Sequence, residues 1–264
     1  MQWWLAYLAI GLAVGFFAGL LGIGGGAVLV PLLVLVFGAQ ALPADHVVHL
    51  ALGTAMASIA FTSVSSMRAH HAHGAVDWAI ARAMAPGILV GSFCAALVAG
   101  MIPRRPLALM FTGLVFYAAT QILLDLRPKR SRDLPGGLGL FTAGATIGAV
   151  ASLLAAGGAF LCIPFLAWCR VPLRRAIGTA AAVGLPIALA GTLGYILQGL
   201  RAQGLPSASL GYVYLPALVL VVATSMLAAP LGARLAHRLP VKRLRIIFAI
   251  LLYALAVRML VSVW

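Results

Sequence analysis

The chain alternates between long runs almost without charge and short polar stretches. The runs are Trp3–Phe37, Val47–Met67, Ala79–Met101, Pro106–Leu124, Leu134–Cys169, Ala176–Leu200, Leu210–Gly232 and Ile246–Trp264. A helix that spans a bilayer needs about 20 apolar residues. Six of the eight runs have the length of one crossing, and the first and fifth are too long for one helix. Both long runs carry glycines at their middle. Each is therefore expected to be a helix, a break, and a shorter second helix.

The break recurs. "LLGIGGGAVLVP" (Leu20–Pro31) aligns with "LLAAGGAFLCIP" (Leu153–Pro164), which sets Gly24 and Gly25 on Gly157 and Gly158 and Pro31 on Pro164. In the same order, "LGTA" (Leu52–Ala55) matches "IGTA" (Ile177–Ala180), and "IPRRPLALMF" (Ile102–Phe111) matches "LPVKRLRIIF" (Leu239–Phe248). The chain therefore divides into a first membrane repeat at residues 1–126, a linker at 127–137 and a second repeat at 138–264, with about four hydrophobic segments in each repeat. The stretch "DLRPKRSRDLPGG" (Asp125–Gly137) alone has the polar, Pro/Gly-rich composition of a linker.

Loop charge orients the repeats. Lys and Arg concentrate on the cytoplasmic side of membrane proteins. The linker holds Arg127, Lys129, Arg130 and Arg132, so it is expected in the cytoplasm. The loops around Arg170–Arg175, Arg68–Arg82 and Ala233–Arg245 are also basic. Gly38–His49 has no Lys or Arg and Gln198–Ser209 has one Arg, so both are expected outside. "MIPRRP" (Met101–Pro106) dissents. Equivalent loops then fall on opposite faces, and the repeats are expected to be inverted. Inverted repeats place a transport site between them, near the midplane.

The glycine motif has a physical rationale in that setting. Irregular backbone within hydrocarbon survives only where protein buries it or where it lines a polar cavity. Glycine permits a tight turn, with positive φ expected at Gly25 and Gly158, and allows a ligand to approach the backbone. The helices that follow, from about Ala27 and Ala159, point N–H groups and the positive end of a dipole at the break. Gly24, Gly25, Gly26, Gly157 and Gly158 are thus candidate ligands of a small anion. Pro31 and Pro164 support the breaks by bending the half-helices. A loose G-x-G-x-x-A match at Gly22–Ala27 lacks the strand–loop–helix context of a dinucleotide site.

Composition sharpens the class. With 64% hydrophobic and 8% charged residues, the chain is an integral membrane protein, all-α by the length of its runs. The net charge of +14 belongs to loops and orients the chain; no nucleic-acid partner is expected. Cys94, Cys162 and Cys169 lie in apolar runs without metal spacing and read as small core residues. "MQWWLAYLAIGL" lacks the basic start of a cleaved signal peptide.

"GFFAGLLGIGGGAVLVPLL", followed by "HLALGTAMASIAFTSVSSMRAHHAHGAVDWAIARAMAPGILVGSF", resembles the sulfite exporter TauE/SafE family over nearly the whole chain. The resemblance implies a bacterial-type inner-membrane permease that exports sulfite, organosulfonates or related sulfur-containing anions. One departure stands out: the second motif has Ala155, Ala156 and Ala159 where the first has Gly22, Ile23 and Gly26.

Further polar residues sit within the runs. Thr54, Ser58, Thr62, Ser65 and Ser66 recur at steps of three and four, so they share a helical stripe facing protein or water. Thr54, Ser58 and the repeat mate Thr179 are candidate substrate contacts, the alternative being interhelical hydrogen bonds. Arg82, near a cytoplasmic helix end, either snorkels or meets an incoming anion. Tyr195 and Gln198 read as interface anchors. "HVVH" (His46–His49) and "HHAHG" (His70–Gly74) carry the alternative of a cation or metal permease, but fall on opposite faces of the expected topology. No catalytic residue, resident metal or cofactor is expected; the partners are a small anion and the bilayer, with homo-oligomerisation left open. A membrane protein with glycine-mediated helix packing and no transport is the third reading.

Overall fold

The computed structural model describes residues 2–21, 25–124, 132–155, 157–236 and 241–263. Gly24, and the part of the linker at 125–131, lie outside the described residues. The chain is helical almost throughout. Its helices are α1 (Gln2–Leu21), α2 (Gly26–Ala39), α3 (Val47–Ala72), α4 (Trp78–Met101), α5 (Arg104–Leu123), α6 (Gly137–Leu153), α7 (Ala159–Trp168), α8 (Leu173–Gly199), α9 (Leu215–Ala236) and α10 (Val241–Val263). Among the described residues, four helical stretches have the length and apolarity to cross a membrane: Ala44–Ala72, Trp78–Met101, Arg104–Leu123 and Leu173–Gly199.

Both long runs break at their glycines, as their length requires. The resulting half-helices are short: α2 has 14 residues and α7 has 10. At 1.5 Å per residue they reach about 21 and 15 Å, less than the roughly 30 Å of a hydrocarbon core. Each carries its proline at the sixth position, Pro31 in α2 and Pro164 in α7.

Helices α3 and α8 pack together at the centre, with α2 against α3 and α7 against α8. On the flanks α1 packs against α9, α4 against α6, and α5 against α10. The flanking contacts are matched. A β-carbon at Gly11 of α1 would press on the carbonyl oxygen of Val221 at 2.7 Å, and one at Gly144 of α6 on that of Met84 at 2.5 Å. One turn on, Gly15 abuts Ser225 and Gly148 abuts Ile88. These glycines let backbones approach closely, which is how helices associate where lipid supplies no hydrophobic drive.

A second matched set joins the central helices to the chain entering the flanking ones. The Tyr214 backbone N–H donates to Thr54 Oγ1 (2.9 Å), and the Asp77 backbone N–H donates to Thr179 Oγ1 (3.0 Å). The glycines before those threonines, Gly53 and Gly178, lie against the carbonyls of Tyr212 and Ala75.

Several details depart from expectation. The run from Leu210 does not begin as a helix. It forms a small antiparallel ladder, β1 (Ser209–Leu210) with β2 (Val213–Tyr214), turned at Gly211 with φ +54°. Tyr195 is no interface anchor; it is fully buried, and its carbonyl accepts from the Tyr212 N–H at 3.3 Å. Cys94 is exposed on α4 rather than packed in the core, while Cys162 and Cys169 are buried.

Candidate functional site

The N-terminal half of α3 is sealed: Leu50, Ala51, Leu52, Thr54, Ala55 and Met56 are all wholly buried. From Ser58 onward the same helix lines a cavity of about 450 Å³. Ser58 and Ser63 lie deep in it, at 4% and 8% exposure. Ser65, Ser66 and Ala69 are exposed within it, and His70 stands at its mouth. Among the described residues the cavity thus lies on the C-terminal side of the sealed half of α3.

Both glycine breaks reach this cavity. Gly25 and Gly26 line it from the first repeat, and Gly157 and Gly158 from the second. The breaks also touch each other, because a β-carbon on Gly26 would overlap the carbonyl oxygen of Ala155. Gly25 and Gly158 stand as the N-caps of α2 and α7. An N-terminal turn leaves its first N–H groups without intrahelical partners and carries roughly half a positive charge. Two such turns face one space here, and neither N-cap supplies a side chain of its own.

The glycines' backbone differs from expectation. Gly25 has φ −75° and Gly158 φ −56°, both right-handed. Among the described residues of the second break, Ala155 is the left-handed one, with φ +44°. Glycine is needed at Gly26 for close approach instead, since the facing carbonyl leaves no room for a methyl group.

The hydroxyls come from one side. Ser58, Thr62, Ser63, Ser65 and Ser66 project from α3, and Ser225 is added by α9. The α8 part of the wall, with Gly184 directly against Ser63, is Ile177, Ala180, Ala181 and Gly184. Among the described residues neither Ser58 nor Ser63 has a hydrogen-bond partner, so both hydroxyls are free to serve a ligand. Thr62 donates to the Ile59 carbonyl at 3.2 Å. Ser63 and Ser225 were not candidates from sequence. Ser63 sits one residue off the stripe of its neighbours, and Ser225 enters only because α1 and α9 pack together.

Other candidates lie elsewhere. Thr54 and Thr179 are wholly buried outside the cavity, their hydroxyls occupied by the backbone ties already described. Arg82 is exposed on α4 and does not line the cavity. Pro31 and Pro164 sit inside the half-helices, beyond the cavity wall.

The histidine pair at the sealed end has another occupation. His49 stacks on Tyr212 with ring centroids 5.0 Å apart, and His46 stands 5.8 Å from the same ring. Each donates through Nε2–H to a carbonyl, His49 to Ile102 (2.9 Å) and His46 to Gln203 (3.1 Å). Burial pushes the Tyr212 phenol above its ordinary range. The trio lies at the N-terminal end of α3, outside the cavity lining. Among the described residues no group of three His, Cys, Asp or Glu is placed to hold a metal.

A multi-pass helical protein with two interrupted helices meeting at one hydroxyl-bearing cavity has the build of a membrane transporter. The comparisons with known proteins agree on that class and give the family. The family model described as Sulfite exporter TauE/SafE matches residues 7–259, and the chain belongs to that family. It is 35% identical over 257 residues to a probable membrane transporter protein of Haemophilus influenzae, covering 97% of each chain. It is 29% identical over 234 residues to one of Bacillus subtilis, covering 86% of this chain and 87% of the other. A third, from Methanocaldococcus jannaschii, is 24% identical over 259 residues, covering 96% and 94%. No solved structure matches the chain.

Proposed function

We propose that this transporter carries a small anion, sulfite or a small organosulfonate, out of the cytoplasm across a bacterial-type inner membrane. It does so by alternating access, with no catalytic step, between inverted repeats at residues 1–126 and 138–264. The observation that carries the reading is the convergence of Gly25, Gly26, Gly157 and Gly158 with the free hydroxyls of Ser58 and Ser63 on one cavity. Two helix N-termini and two hydroxyl donors suit an anion, and among the described residues no carboxylate lines the cavity. The family's description as sulfite exporters supports the substrate class.

Inversion is supported by the matched contacts. Gly11 with Val221 repeats as Gly144 with Met84, and Thr54 with Tyr214 repeats as Thr179 with Asp77. In each pair the two repeats have exchanged roles. His70, at the mouth, lies in the last turns of α3 near Arg68, at the end that loop charge assigns to the cytoplasm, so we read this state as the one open to that side.

The test is flux through purified protein in liposomes, with sulfite, a small organosulfonate and divalent metals offered in turn. Anion flux above protein-free vesicles is expected. Metal flux without anion flux would replace this reading with a cation permease.

A further inference from the structure

We propose that the cavity is matched to a single negative charge, so that the transporter carries monoanions and rejects dianions. The inference rests on the anion reading and adds the charge state of the substrate.

Among the described residues, no Lys or Arg lines the cavity, and its one titratable side chain is His70 at the mouth. The positive potential at depth therefore comes from dipoles. Each half-helix N-terminus is equivalent to roughly half an elementary charge, so α2 and α7 together offset about one. Ser58 and Ser63, more than nine-tenths buried, unpartnered and lining the same space, add donors without adding charge.

The cost side decides between one charge and two. The Born cost of taking an ion out of water rises with the square of its charge, so a dianion costs about four times what a monoanion of equal size does. The attraction of fixed dipoles rises only in proportion to charge. A site of this kind holds a monoanion near balance and leaves a dianion heavily undercompensated. The α8 wall of Ile177, Ala180, Ala181 and Gly184 offers a second charge no hydrogen bond from a side chain.

Sulfite is a useful probe, because its second ionisation falls near neutral pH. Purified full-length protein in liposomes is assayed with sulfite, with methanesulfonate (a permanent monoanion) and with sulfate (a permanent dianion), against protein-free vesicles. Sulfite flux is expected to fall about tenfold for each pH unit above its second ionisation, following the monoanion. Methanesulfonate flux is expected to stay level over the same window, which separates the effect from titration of His70. Sulfate is expected at background. Sulfite flux that holds or rises with pH, or sulfate carried as fast as methanesulfonate, overturns the charge match and leaves the anion reading standing. No flux of any of the three overturns both.

A gain-of-charge variant tests the same balance from the other side. Ser66 is exposed within the cavity, so Ser66→Lys introduces an ammonium there without forcing it into packed protein. Sulfate flux is expected to rise at least tenfold relative to methanesulfonate, and Ser66→Gln to leave the ratio unchanged. A Ser66→Lys protein that carries methanesulfonate but still excludes sulfate overturns the proposal. If that variant fails to fold, the pH series on the unaltered protein decides.

Discussion

Thr54 accepts a hydrogen bond from the backbone N–H of Tyr214 at 2.9 Å, and so ties the sealed half of α3 to the turn that begins α9. Its repeat mate Thr179 makes the corresponding tie to Asp77 at 3.0 Å, between α8 and the start of α4. Both threonines are wholly buried, so no water replaces the acceptor when it is removed. Valine has nearly the same shape and leaves the N–H unpaired. Thr54→Val and Thr179→Val are each expected to destabilise the protein by about 1–3 kcal/mol, and serine to restore most of the loss. Thermal unfolding in detergent reads this. Thr54→Val as stable as the unaltered protein would show that the tie contributes nothing.

Ala155 suggests a change in which opposing terms nearly cancel. It holds φ +44° in the second glycine break, where the first repeat has Gly22. An L-residue in that region carries about 1–2 kcal/mol of steric strain. Glycine removes the strain but gives the unfolded chain more freedom, which returns roughly 0.4–1 kcal/mol. The wholly buried methyl is lost as well, which costs about 0.8 kcal/mol, so Ala155→Gly is expected to leave stability within about 1 kcal/mol of the unaltered protein. A loss well beyond that would contradict the account.

The glycines flanking the first break are expected to respond unequally. A methyl at Gly26 meets the Ala155 carbonyl, backbone that has no rotamer to yield. A methyl at Gly25 meets Val14 Cγ1, the end of a side chain that can turn away. Gly26→Ala should lower folded yield sharply, whereas Gly25→Ala should fold and transport at a reduced rate. Val14→Ala should restore the Gly25→Ala protein. Size-exclusion profiles and flux, measured on the same preparations, separate loss of fold from loss of transport. Equal folded yields for Gly25→Ala and Gly26→Ala would mean that the two breaks do not meet as described.

Those glycines also mark what the sequence could and could not reveal. The breaks were legible because a helix of fixed rise cannot absorb the run Trp3–Phe37 in one crossing, and because Gly24, Gly25 and Pro31 repeat in register at Gly157, Gly158 and Pro164. Both signals are local to the chain. The partner of Gly26 is not: Ala155 lies far along the sequence, and only packing brings it to that position. For the same reason the stripe containing Thr54 and Ser58 looked uniform. One hydroxyl faces the entry to α9 and the other faces open space, a distinction set by where α1 and α9 leave room. Periodicity reports which face of a helix is polar, but not which part of that face has a protein neighbour.

Arg82 separates a charge that steers an ion from one that only meets the membrane surface. It is exposed on α4 and stands outside the cavity lining. An exposed charge with no contact to the site acts on it only through solvent, where physiological salt screens it. Arg82→Gln is therefore expected to leave substrate affinity unchanged in flux assays run at that salt. A clear fall in affinity, recovered by Arg82→Lys, would bring Arg82 into the entry path after all.

The hydroxyls at the base of the cavity give the sharpest test of the site. Ser58 and Ser63 lie more than nine-tenths buried with no partner among the described residues, so each has a proton to donate. A hydrogen bond to a charged group contributes about 1.5–3 kcal/mol, which is roughly 10- to 100-fold in affinity. Ser58→Ala and Ser63→Ala are each expected to weaken anion binding on that scale with little change in stability, since neither removal breaks a bond within the protein. Thr62 lines the same wall, but its hydroxyl proton is already given to the Ile59 carbonyl at 3.2 Å. Thr62→Val should therefore affect binding far less than either serine change, although all three remove one hydroxyl from one helix. Anion-dependent thermal stabilisation in detergent measures this without requiring transport, because a ligand at free concentration L raises stability by RT ln(1 + L/Kd). Equal losses at Ser58, Thr62 and Ser63 would point to general cavity polarity. Loss at the two serines with Thr62 spared would identify them as the side-chain ligands beside the glycine breaks.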